Sequence, residues 1–127
     1  MTSTDFRSLA LNFPEAEERA HRGHPDFRVG GKIFATLGYP EAGWAMVRLT
    51  PIEQEMFMEA HPTVFKPCNG VWGRRGATNV NLKATRKQVA RRALLAAWLL
   101  TAPKKLQHLV AAENNIPPPT LFNGKLV

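Results

Sequence analysis

Gly30-Gly31 stands between two strand-like segments, Phe27-Arg28-Val29 and Lys32-Ile33-Phe34-Ala35-Thr36-Leu37. A two-residue turn that follows the twist of its flanking strands needs positive φ angles, which a glycine pair adopts at no steric cost. This commits the middle of the chain to an antiparallel hairpin, around which the other elements must be arranged. Gly38, Pro40 and Gly43 mark a second turn. A third strand follows over Trp44 to Leu49, with Trp44, Met46 and Arg48 on one face and Ala45, Val47 and Leu49 on the other.

Upstream, Phe6, Leu9, Ala10 and Phe13 recur at helical spacing. They predict a helix over Thr4 to Phe13, capped by Thr4 and closed by Pro14. Glu15, Glu17 and Glu18 then read as a solvated charge run leading into a polar connection through Gly23 and Pro25. Downstream, Thr50-Pro51 with Glu53 is a capping box with a first-turn proline. The helix it opens should bury Ile52, Met56 and Ala60 and end at His61-Pro62. Val64-Phe65-Lys66 is a short strand that Pro67 places at an edge or at its own end. Thr78, Val80 and Leu82 alternate with polar residues, giving a fifth, half-buried strand.

The last major helix is predicted from about Thr85 to Leu100, with Val89, Ala93, Ala96 and Leu100 facing the core. Its outer side starts basic and turns apolar at Leu95, Trp98 and Leu99. These three must be covered by the following segment or by a second copy of the chain. Pro103 to Ala112 reads as one more short helix, and Pro117 to Pro119 as an extended tail. The expected order is α-β-β-β-α-β-β-α: an α+β, two-layer fold with a five-stranded antiparallel sheet covered by helices. The core domain is expected over residues 1–102, with a C-terminal extension over 103–127.

The chain has 127 residues, 44% hydrophobic and 21% charged, which suits one globular domain. Its longest strongly apolar run, Ala93 to Leu100, falls far short of the ~20 residues of a membrane helix. The first residues lack a basic stretch followed by an apolar one, so no signal peptide is expected. One cysteine, Cys68, allows no internal disulfide. A cytoplasmic location is the expectation.

Several motifs now match a known pattern. Phe27 to Ala35, Trp72-Gly73 with Gly76, Thr78, Val80 and Leu82, and Ala97-Trp98 resemble the MmcQ/YjbR-like family. Gly23-His24-Pro25 and Leu49-Thr50-Pro51 fit as well. The resemblance covers about Phe6 to Leu100. It implies a small α+β fold similar to frataxin-like and secretion-chaperone-like proteins, often labelled DNA-binding by that likeness. It supplies no catalytic motif. The chain departs from the family at Ala77, where a large aromatic is common.

Charge is uneven. Residues 1–62 carry six basic and nine acidic side chains, whereas residues 63–127 carry eleven basic side chains and Glu113 alone as an acid. The net charge is +7. A basic half points to an anionic partner. Gly73-Arg74-Arg75-Gly76 reads as a hairpin-like loop whose arginines are exposed and offer forked donors to phosphate. Lys83, Arg86, Lys87 and Arg91 could extend that surface. Trp72 reads first as a core aromatic and second as a stacking face for a base.

Other chemistry is poorly supplied. His21 and His24 are three apart, but Gly23 and Pro25 argue against a helix that would bring them together, and no metal site or cofactor is expected. The only serines are Ser3 and Ser8. Cys68 reads as an inert thiol. The function expected is therefore non-enzymatic binding, of nucleic acid through the basic half. The alternative is a protein-interaction or chaperone-like module for an acidic or amphipathic partner. A small-ligand pocket between sheet and helices is a third reading. One continuous basic stripe favours the first, and scattered charges around an apolar groove favour the second.

Overall fold

A computed structural model describes residues 1–114, 121–122 and 125–126, with side chains through residue 110. Helix α1 (Ser3–Leu11) starts earlier than the spacing suggested. Thr2 is its cap: the Asp5 N–H donates to Thr2 Oγ1 and the Thr2 N–H donates to Asp5 Oδ2, both at 3.0 Å. Strands β1 (Glu17–His21), β2 (His24–Val29), β3 (Lys32–Leu37) and β4 (Trp44–Arg48) follow. Then come α2 (Pro51–Ala60), β5 (Phe65–Pro67), α3 (Gly70–Arg74), β6 (Ala77–Asn81), α4 (Lys87–Thr101) and α5 (Lys104–Asn114). A single 3-10 turn, Leu82–Ala84, joins β6 to α4.

The fold is α+β, as expected, but the sheet has six strands in the order β1-β2-β3-β4-β6-β5, all neighbours antiparallel. The additional strand is β1, where the sequence suggested a polar connection. Every β1 residue is exposed. An edge strand wet on both faces has no apolar alternation, so periodicity cannot reveal it. Its turn to β2 places Arg22 at φ 49° and Gly23 at φ 80°. Both angles are positive, as a primed hairpin turn requires, but the first belongs to an arginine rather than to the usual asparagine or glycine.

The registers define an inner face. Phe27 lies beside Ala35 and Ala35 beside Val47, while Leu37, Ala45, Val80 and Phe65 form the next row. All of these are buried. Helix α4 packs on β3 and β4, with α1 beside it. Helix α2 covers the β5 end of the same face through Phe57, whose ring centroid lies 5.1 Å from that of Phe65. Phe57 is therefore the inward residue of α2, and Ile52, expected inside, is 60% exposed.

Helix α4 buries a wider arc than the predicted stripe: Ala90, Ala93, Leu94, Ala96, Ala97 and Trp98. Leu100, expected in the core, is 46% exposed. The width follows from packing on two sides, with the sheet below and α1 and the α5 segment above. Trp98 is fully buried. Its Nε1–H donates to Pro14 O at 3.0 Å and its ring stacks on Phe13. Leu95 and Leu99 are half-buried, and Leu106 and Val110 of α5 join the same core. Trp98 is thus enclosed by its own chain, through the loop after α1 and the segment after α4. Pro117 to Pro119 and the docking of Leu121, Phe122, Leu126 and Val127 lie outside the residues and side chains described.

On the opposite sheet face, Asp26 is fully buried. Arg28 donates through Nε to Oδ1 (2.8 Å) and through Nη2 to Oδ2 (3.0 Å), and His21 Nδ1 lies 2.8 Å from Oδ2. The Arg28 hydrogen bonds, joined by that of His21, outweigh burial and hold the Asp26 carboxyl below the usual carboxylate range.

Candidate anion-binding site

The Gly73–Gly76 segment is not a hairpin loop. Helix α3 occupies Gly70–Arg74, and Arg75 is its C-cap. The glycines serve close approach. A Cβ on Gly73 would sit 1.7 Å from Cys68 O, and one on Gly76 would sit 1.9 Å from Leu49 O. Gly76 also has φ +112°, a region that side-chain-bearing residues rarely adopt. The Gln54 side chain of α2 fastens this turn to β6, its Nε2 lying 3.0 Å from both Gly73 O and Ala77 O and 3.1 Å from Thr78 Oγ1.

Because Gly73 and Gly76 face inward, the residues beside them face out. Arg74 and Arg75 are exposed. Trp72 is 63% exposed, which overturns its reading as a core aromatic. A helix of this length has one inward side, and Gly73 takes it. The Arg75 guanidinium lies 5.9 Å from the Trp72 ring centroid, within cation–π range. Among the described residues neither arginine has a carboxylate partner. The segment thus exposes an indole ring and two guanidinium groups to solvent.

The other expected site residues lie elsewhere. Lys83 is in the 3-10 turn, Arg86 is the α4 N-cap and Lys87 opens α4. They sit at the far end of β6, roughly 13 Å of strand away from Ala77. Lys87 Nζ lies 3.6 Å from Asp5 Oδ1, and the Arg91 guanidinium lies 5.7 Å from the Phe13 ring centroid. The expected site residues therefore split into two groups, Arg74 and Arg75 before β6 and Lys83, Arg86 and Lys87 after it, rather than forming one patch.

The Arg75 end holds two cations that the charge count assigned to the acidic half. Lys32 opens β3 and Arg48 closes β4, and both are exposed beside Arg75. The only sequence signal for this was sheet register. Arg48 pairs with Ala77, two residues after Arg75.

Cys68 is chemically quiet. Its thiol donates to Asn79 Oδ1 at 3.1 Å, and burial pushes its pKa up to about 11. Among the described residues, no three His, Cys, Asp or Glu side chains converge on a metal-sized site, and no helix is long and apolar enough to cross a membrane.

The family model described as YjbR matches residues 11–114, a span that takes in α5. No curated protein matches the chain. A crystal structure of a Deinococcus radiodurans protein with a DUF419 domain is similar at a TM-score of 0.69, with 19% identity. The similarity covers 92% of this chain and 90% of that one.

Proposed function

The chain belongs to the YjbR family, and from that premise we propose that it is a non-enzymatic binding domain for nucleic acid, with single-stranded DNA held at the α3 end. The carrying observation is the exposed Trp72 beside Arg74 and Arg75, which have no carboxylate partner among the described residues. Single strands are held by base stacking on aromatic side chains together with cations along the phosphates. A duplex keeps its bases stacked internally and gains less from Trp72. Nothing in this arrangement reads base edges, so binding is expected to be weakly sequence-specific.

The test is fluorescence polarisation with labelled single-stranded and duplex DNA over a series of salt concentrations. Trp72→Ala should weaken single-strand binding by about 1–3 kcal/mol and duplex binding far less. Arg74→Ala with Arg75→Ala should flatten the dependence of log affinity on log salt by up to ~1.4 for a single strand or ~1.8 for a duplex. The loss should be alike for unrelated sequences. Absence of binding at low salt would sink this reading in favour of an acidic protein partner.

A further inference from the structure

Between the β3–β4 end of the sheet and the last turn of α4 lies an open cleft of about 290 Å³. Three cations reach it from three separate elements: Lys32, Arg48 and Arg75. Among the described residues none of them has an acidic partner. The carboxylate nearest in sequence, Glu53, accepts the Thr50 N–H at 2.9 Å and does not line the cleft. Thr101 also lines the cleft, and its Oγ1 is shut from solvent with no hydrogen-bond partner, the only such side-chain atom among the described residues. That hydroxyl does not reach the cleft, and Thr101 contributes to the lining through its other atoms. Its apolar lining comes from Pro51 and the half-exposed Leu100.

We propose that this cleft binds a phosphomonoester, with its dianionic phosphate among Lys32, Arg48 and Arg75 and its organic part against Pro51 and Leu100. Three cations with no neutralising carboxylate suit a doubly charged group better than a carboxylate. Guanidinium forks match its oxygens in pairs. The volume lies near the lower bound for small-molecule sites, about 300 Å³, which leaves room for an organic part beyond the phosphate. Arg75 is shared with the strand-binding surface around Trp72, whereas Lys32 and Arg48 are not, so variants at those two test this site separately from that one.

Phenyl phosphate, inorganic phosphate and phenol serve as probes, followed by calorimetry and by amide chemical shifts of the full chain. Phenyl phosphate should bind more tightly than inorganic phosphate, and phenol should not bind. The shifts should centre on Arg48, Thr50 and Thr101. Lys32→Ala with Arg48→Ala should lower phenyl phosphate affinity at least tenfold, while Arg74→Ala should leave it within twofold. Lys32→Ala alone, at an exposed position, should weaken binding severalfold with an unchanged melting temperature. That variant keeps the test valid if the double variant folds poorly.

Competition identifies the source of the phosphate. If a 5′-phosphorylated oligonucleotide displaces phenyl phosphate and its 5′-hydroxyl counterpart does not, the group belongs to a strand end. If neither displaces it, the ligand is a free phosphate ester. No binding at millimolar phenyl phosphate, or binding indifferent to Lys32 and Arg48, would overturn the proposal whatever the outcome with DNA.

Discussion

The two ends of α4 carry basic residues under opposite electrostatic conditions. At its N-terminal end, Arg86 and Lys87 face the positive pole of the helix dipole, where cations are unfavourable. There Lys87 is balanced by Asp5, and Arg91 lies over Phe13. At the C-terminal end, Lys32, Arg48 and Arg75 gather near Thr101, where the dipole favours positive charge. No carboxylate among the described residues neutralises them there. The difference separates charge that the fold has absorbed from charge left free to meet a ligand. Net charge by itself cannot make that distinction.

The largest expected effect destroys one end and leaves the other. Gly76→Ala would press a Cβ to within 1.9 Å of the Leu49 carbonyl oxygen at φ +112°. Backbone cannot yield as a flexible side chain would, so a loss of more than ~4 kcal/mol is expected. Gly70→Ala is the control at the same end. It also has positive φ, but nothing lies within 4 Å of its added Cβ, so it should cost only about 1 kcal/mol. Thermal or urea denaturation of the two variants decides the matter. Equal stabilities would show that conformation rather than close approach governs this turn.

A smaller effect concerns a cation that does have a partner. Asp26→Asn removes the charge that binds Arg28 and His21. The cost should be about 1–3 kcal/mol, that of disrupting hydrogen bonds to a buried group, since Arg28 remains partly hydrated. The pH dependence has a definite sign. The folded pKa of Asp26 lies below the usual value. Its stabilisation is therefore complete above the ordinary carboxylate pKa of about 3.9 and is lost as pH falls through the lowered value. Melting temperatures between pH 5 and pH 3 should fall steeply in the native protein and less steeply in D26N. Parallel curves would mean that another carboxylate dominates acid unfolding. Asp5, also held below the usual range by its hydrogen bonds with Thr2, is the next candidate.

What the sequence conveyed and what it withheld divide along physical lines. The Gly30-Gly31 turn and the Thr50–Glu53 capping box depend on a few adjacent residues, and both are present. The alternation of Thr78, Val80 and Leu82 reports burial on one face, and all three are buried. Strand β1 lacked any such signal because it has no buried face. In α2 the helix start was local and correct, but its inward residue, Phe57, was set by Phe65 across the sheet edge. The site was less legible still. Exposure of Arg74 and Arg75 followed from their glycine neighbours. Exposure of Trp72 depended on Gly73 seating against Cys68, and the gathering of Lys32, Arg48 and Arg75 depended on register between distant strands.

The smallest effect sharpens the contrast between the two ends of α4. Arg86 is the α4 N-cap, with extended backbone at φ −93° and ψ 156° and no side-chain capping hydrogen bond. That conformation suits aspartate, whose carboxylate could accept a free N–H of the first turn and would complement the helix dipole. Arg86→Asp should therefore raise stability by about 1 kcal/mol, read as a higher denaturation midpoint. If Arg86 also touches phosphate, the same change should flatten the salt dependence of duplex binding by about 0.9. If DNA is held only at the α3 end, the slope should stay as it was. A stability gain with an unchanged slope would confine nucleic-acid binding to the Arg75 end. A loss of stability would instead show that Arg86 is held by contacts that outweigh the missing cap.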